Sequence, residues 1–150
     1  MGLDQLDSFL RPHRRIALDT PIFIYQLESN PRYVAFTDRI FAWIERSDHR
    51  ATTSTITMVE LLVQPYRALD QSRVDDFYTL LSTVPKLEWV APDLKIADLA
   101  ARIRALHRLR TPDALQAATA LQSEATALIT NDSTFERVQG IETLVLDRFM

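Results

Sequence analysis

Asp19, Glu60, Asp113 and Asp132 each stand where an apolar, strand-like run ends or a helix begins. Acids of this kind at this kind of junction suit a carboxylate pocket for a hard divalent cation. Each also has a simpler explanation. Asp19 closes the run RIALD ahead of Thr20 and Pro21; Thr20 is expected to cap the next helix with Pro21 in its first position, which leaves Asp19 free. Thr57 and Glu60 have the spacing of a capping box, and Ser54 and Thr57 suit either backbone bonding or ligand positioning. Asp113 follows Thr111 and Pro112, where it favours the positive end of a helix dipole. Asp132 follows ALIT, and Ser133 with Glu136 forms a further capping-box pattern that leaves Asp132 spare. Thr130 and Asn131 beside it suit a turn or the orientation of a water.

Energetics favours one pocket over four separate caps if the acids converge. At ~6 Å and an effective dielectric of ~20, two carboxylates repel by roughly 3 kcal/mol, against about 1 kcal/mol for a good cap. A convergent quartet therefore needs a cation or shared protons. Other chemistries are poorly supplied. With no cysteine, thiolate zinc sites and cysteine nucleophiles are excluded, and His13, His49 and His107 form no paired motif. Gly2 and Gly140 are the only glycines, so no glycine-rich phosphate loop exists. The formal charge is −3, and setting aside four negative pocket groups leaves +1, which does not repel nucleic acid. All basic side chains but Lys86 and Lys95 are arginine, suited to bidentate phosphate contact, although arginine-rich codon usage gives the same skew.

To position such acids, strands must alternate with helices. Strand-like runs occupy Arg15–Asp19, Ala51–Thr55, Leu87–Val90, Ala127–Thr130 and Thr143–Asp147. Helical spacing links Phe36, Ile40, Trp43 and Ile44; Val74, Phe77, Tyr78 and Leu81; Ile96, Leu99, Ala100, Ile103 and Leu106; and, more weakly, Leu115, Ala118 and Leu121. The expectation is an α/β three-layer sandwich with a mainly parallel sheet of about five strands. In such sheets ligands settle beyond the carboxyl ends of the strands, where strand order reverses. At 150 residues the chain is expected to form one domain over 1–150 that buries roughly two-thirds of its unfolded surface. Residues 1–14, with Leu3, Leu6 and Leu10, form an extra helix or an arm. No apolar run approaches the ~20 residues of a membrane span, and the start lacks a secretory pattern, so the expected location is the cytoplasm.

The segments IALDTPIFIY, STITMVELL, LRTPDALQAATAL and LITNDSTF resemble the PIN domain family, and most closely the VapC-type toxins of toxin–antitoxin pairs. The resemblance covers residues 15–147, and its most specific part is the RTPDAL helix start followed by AATA. The chain departs from the family in carrying an 18-residue lead before its first aspartate. The resemblance implies that Asp19, Glu60, Asp113 and Asp132 are the family's acidic quartet, with Thr20 and Asn131 beside it. It implies Mg²⁺ or Mn²⁺ as cofactor, Asp19 and Asp113 as direct ligands, and Glu60 and Asp132 as ligands directly or through water. The implied activity is endonucleolytic cleavage of RNA, whether tRNA, rRNA or mRNA, by a toxin silenced by a cognate antitoxin. A homodimer is also implied, and aromatic residues Phe23, Tyr25, Phe36, Phe41 and Trp43 suit a partner groove or the core. Arg104, Arg108 and Arg110, with Arg102, form a basic edge leading to Asp113, either a phosphate track or a solvated helix face. Asp98 is expected at the surface. The alternatives are a non-catalytic PIN-fold RNA-binding or adaptor domain and, third, a Mg²⁺-dependent phosphatase or phospho-acceptor domain, for which the first strand lacks a D-x-D pair and no acidic pair with a late lysine is present.

Overall fold

The computed structural model describes residues 2–150. Five strands, β1 (Arg15–Leu18), β2 (Arg50–Ser54), β3 (Leu87–Val90), β4 (Ala127–Thr130) and β5 (Glu142–Val145), form one parallel sheet in the order β3-β2-β1-β4-β5. Among the described residues seven helices flank it: α1 (Gly2–Leu10), α2 (Thr20–Leu27), α3 (Val34–Glu45), α4 (Ile56–Arg67), α5 (Gln71–Ser82), α6 (Leu94–His107) and α7 (Thr111–Gln122). Short 3₁₀ turns cover Ser133–Arg137 and Leu146–Phe149. The result is the expected three-layer α/β sandwich.

Period-two alternation divides the core between the two faces of the sheet. Ile16 and Leu18 of β1, with Ala127 and Ile129 of β4, face a cluster built by α1 to α5. Ala17 and Leu128 face the opposite cluster, where Ile96, Ala100 and Ile103 of α6 meet the alanines of α7. Strands buried on both faces read as near-continuous apolar runs, which is why the sequence marks β1 and β4 clearly. The last expected strand runs on to Asp147, but Leu146 already begins a 3₁₀ turn.

Helix faces follow the expected spacing with particular exceptions. Tyr78 is half-exposed beside buried Val74, Phe77 and Leu81. Leu106 is 76% exposed, because α6 ends one residue later and Arg108 takes a left-handed conformation that turns the chain away. In α7 the buried set is broader than the stripe Leu115, Ala118 and Leu121. Asp113, Ala114, Gln116, Ala117, Ala118, Thr119 and Ala120 are all buried, and small side chains admit close neighbours on several sides. Phe23, Phe41 and Trp43 lie in the core, while Tyr25 and Phe36 are half-buried.

The segment before β1 is helical. Leu6 and Leu10 of α1 are fully buried, and α1 packs on α3 and the C-terminal 3₁₀ turn. Among the described residues no helix is long and apolar enough to cross a membrane.

The order β3-β2-β1-β4-β5 starts at β1, moves outward to β3, then returns to β4 on the other side of β1. Strand order therefore reverses between β1 and β4. Asp19 leaves the carboxyl end of one of these strands, and Asn131 and Asp132 leave the other.

Candidate active site

A cleft of about 290 Å³ opens at this switch point, lined by Asp19, Thr20, Pro21, Ile24, Glu60, Arg110, Asp113 and Asp132. All four acids singled out from the sequence thus share one wall system, supplied by the β1–α2 junction, α4, the start of α7 and the turn after β4.

Asp19 is the buried centre. Its main-chain N–H donates to the Ile129 carbonyl at 3.0 Å, tying the end of β1 to β4. It is itself the N-cap of α2, with Thr20 and Pro21 inside the helix, so the expectation that Thr20 caps is corrected. The Thr20 main-chain N–H donates to Asp19 Oδ1 at 2.9 Å, and the Thr130 hydroxyl donates to Oδ2 at 2.8 Å. Burial nevertheless dominates and pushes the Asp19 carboxyl up to about 7; Asp113 and Glu60 push the same way, against the two hydrogen bonds.

With its main chain in α2, Thr20 has its hydroxyl free, and it donates to Glu60 Oε1 at 2.8 Å. The capping box expected of Thr57 and Glu60 does not form. Thr55 is the N-cap of α4, and Thr57 lies inside the helix, fully buried. It shares a hydrogen bond with Thr53 at 2.6 Å and accepts one from Gln116 Nε2 at 2.7 Å. Ser54 serves the backbone, accepting from the Ile56 N–H at 3.2 Å.

Asp113 sits in the first turn of α7, where Arg110 is the N-cap. Its side chain is 11% exposed and accepts from Arg110 Nε at 3.3 Å. Burial holds its pKa above the usual carboxylate range, opposed by Arg110 and reinforced by Asp132. Asp132 caps the 3₁₀ turn, accepting from the Thr134 N–H at 2.9 Å, while its own N–H donates to the Thr130 hydroxyl at 3.0 Å. The box expected of Ser133 and Glu136 is absent, because Glu136 pairs with Arg148. Asn131 holds the turn: its Nδ2 donates to the Tyr25 hydroxyl at 3.1 Å and its Oδ1 accepts from the Asp147 N–H at 2.9 Å.

The arginine edge divides. Arg110 lines the cleft, whereas Arg104 and Arg108 line a separate groove with Ala101, Ala105 and Leu109. Arg104 donates to the Leu109 carbonyl at 3.0 Å, and exposed Asp98 pairs with Arg102 at 3.1 Å.

The donor set is all oxygen, which suits Mg²⁺ or Mn²⁺ rather than zinc. A buried carboxylate with a raised pKa, among like charges and beside one exposed arginine, gains from a cation. Among the described residues no group of three His, Cys, Asp or Glu side chains is drawn together as a ready-made cage. An ion bound here would need water for part of its coordination shell, as Mg²⁺ commonly keeps.

The sequence matches the PIN domain over residues 16–141. The chain belongs to the PIN domain family. No curated protein matches it in sequence. Among solved structures, this PIN chain is similar to VapBC-1 from nontypeable Haemophilus influenzae, at 20% identity and a TM-score of 0.69, over 89% of this chain and 98% of that one. DNA-bound VapBC from Salmonella typhimurium aligns at 23% identity and TM-score 0.66, over 87% and 96% of the two chains. FitAcB from Neisseria gonorrhoeae aligns at 23% and 0.63, over 87% and 97%. At these identities the likeness is one of fold.

Sequence reading did not single out Gln116. A long polar residue among the alanines of α7, three positions after Asp113, is the signal it left. Gln116 is buried, and its Oε1 also accepts from the Ser54 N–H at 3.4 Å, joining α7 to α4 and β2 behind the acids.

Proposed function

We propose that the protein is a divalent-metal-dependent endoribonuclease of the VapC toxin type, a cytoplasmic enzyme neutralised by a cognate antitoxin and active as a homodimer. Its catalytic unit is one PIN-like domain spanning the chain, with α1 as an addition. The observation that carries this reading is the convergence of Asp19, Glu60, Asp113 and Asp132 on one cleft at the strand-order reversal of a PIN domain. The fold similarity to VapBC complexes supports the antitoxin partner.

In this reading Asp19 and Asp113 hold Mg²⁺ or Mn²⁺ directly, and Glu60 and Asp132 do so directly or through water. The chemistry such an ion supplies when bound is Lewis acidity at the scissile phosphodiester. The chain's own groups prepare the site. The Thr20 N–H and the Thr130 hydroxyl each occupy one Asp19 oxygen, fixing the carboxylate while leaving lone pairs for a ligand. The Thr20 hydroxyl aims Glu60 at the same cleft. Arg110, exposed except where it meets Asp113, presents a guanidinium to the phosphate of an incoming strand. Asp19 must be ionised to bind a cation, so at limiting metal the affinity for the ion rises with pH through the range near 7 to which burial moves its carboxyl.

The test is incubation of the purified protein with single-stranded and structured RNA in Mg²⁺ or Mn²⁺, beside Asp113→Asn. Cutting by the parent alone is expected. Equal cutting by both proteins contradicts the assignment, and binding without cutting favours the non-catalytic RNA-binding alternative.

A further inference from the structure

The opposite edge of the sheet, at the amino ends of the strands, carries a group of cations. Arg14 and Arg15 lead into β1, Arg50 begins β2, Lys86 precedes β3, and Arg11 and Arg46 end α1 and α3 beside them. The register sets Arg15 level with Arg50. These cations stand on a rim at the amino ends of the strands beside Asp7, Asp48 and Glu142, whereas Asp19, Glu60, Asp113 and Asp132 share the cleft at the carboxyl ends.

Part of that rim is spent on internal contacts. Arg14 meets Asp48 at 3.9 Å, Arg15 donates to the Ser123 carbonyl at 2.9 Å and Lys86 to the Arg46 carbonyl at 2.6 Å. Among the described residues the guanidiniums of Arg11, Arg46 and Arg50 have no hydrogen-bond or ion-pair partner. Two of them, Arg11 and Arg46, line a cleft of about 350 Å³ with Asp7, Trp43 and His49. Asp7 there is occupied by Arg39. His49 lies flat on Trp43, with ring centroids 3.9 Å apart and planes 13° apart, and its Nδ1 is bonded to the Trp43 carbonyl at 2.6 Å. Trp43 is buried, so His49 is the ring presented to the cleft, with Nε2 uncommitted.

We propose that this cleft is a second nucleic-acid contact, in which Arg11 and Arg46 bind a backbone phosphate and the His49 ring supports the adjoining base. Guanidiniums match phosphate oxygens bidentately, and a flat ring on a rigid base suits stacking. An acidic peptide satisfies the charges but makes no use of the ring. Arg11 and Asp7 lie before residue 16, so the added α1 completes a site that the PIN match does not cover. The ends of four-residue β1 lie about 10 Å apart through the sheet, and the path around the surface is longer. A folded RNA reaches both rims, and a very short strand in the acidic cleft does not. The inference rests on the ribonuclease reading only for the choice of RNA as ligand.

The experiment is anisotropy of a labelled RNA hairpin of roughly thirty nucleotides, titrated across salt with chelator present and Asp113→Asn as the parent. In R11A/R46A the affinity is expected to fall roughly five- to tenfold, and the salt slope by about 0.7 for the one lost phosphate contact to an unpaired strand. R11K/R46K is expected to recover most of the slope. R11Q/R46Q keeps most of both stems and gives the same reading if alanine disturbs packing. With Asp113 restored, R11A/R46A cuts a tetranucleotide at the parental rate. Unchanged affinity and slope overturn the proposal, as does binding of polyglutamate in place of RNA. The measurement involves no metal or cleavage, so a protein that binds RNA through this rim yet cuts none refutes the nuclease reading alone.

Discussion

Asp19→Asn isolates the burial of one carboxylate, and its consequence for stability depends on pH in a calculable way. In the folded protein burial pushes the Asp19 carboxyl to about 7, against an ordinary value of 3.8. Between those values the folded state holds a proton that the unfolded state has released, so stability falls as pH rises from about 4 to about 7 and then levels. At 1.36 kcal/mol per pH unit, this one group removes about 3 kcal/mol between pH 5 and pH 8. Asparagine keeps the shape without the charge. Its Oδ1 still accepts from the Thr20 N–H, and its Nδ2 faces the Thr130 hydroxyl, which must then turn its proton elsewhere. That rearrangement costs about 1 kcal/mol at any pH and cancels when the two pH values are compared. In chelator, the stability of Asp19→Asn relative to the parent is therefore expected to improve by about 3 kcal/mol from pH 5 to pH 8, or roughly 6–12 °C in Tm for a chain of this size. Calorimetry of both proteins at both pH values reads this directly. A parent-to-variant gap that does not change with pH refutes the account of Asp19 as a desolvated carboxylate.

Other expectations follow from the same geometry. Mn²⁺ is expected to raise the Tm of the parent at pH 8 and to do so far less for Asp19→Asn, since only binding selective for the native state stabilises it; a thermal melt distinguishes the two. Thr20→Val removes the donor to Glu60 and is expected to weaken Mn²⁺ binding several-fold while costing about 1 kcal/mol of stability, read by calorimetric titration and melting. Asn131→Ala cuts the ties to Tyr25 and Asp147 and is expected to cost about 1–3 kcal/mol in urea unfolding. Phe135→Ala empties a fully buried position in the α6–α7 cluster and is expected to cost about 3–5 kcal/mol by the same measure.

The elements were legible because the central strands are buried on both faces and the helices mostly on one. The site's residues were legible because Asp19 and Asp132 stand at the ends of apolar runs, where helical spacing gives them no packing role. What the sequence misassigned was capping. Thr20 and Asp19 are both competent N-caps, and the choice depends on Glu60, forty residues away, taking the Thr20 hydroxyl. Thr57 has capping-box spacing, but buried neighbours Thr53 and Gln116 satisfy its hydroxyl inside the helix. Local patterns cannot register such long-range partners. Leu106 misled for a related reason, since an apolar stripe carries no information about where the helix stops needing it. The cleft of Arg11 and Arg46 was illegible because the two follow different helices and come together only through the packing of α1 on α3.

The most direct test of the central claim is anomalous diffraction from crystals grown with Mn²⁺ above pH 7. The account predicts a peak in the cleft within bonding distance of carboxylate oxygens of Asp19 and Asp113. A map with no peak there, or with Mn²⁺ bound only at another site, contradicts it.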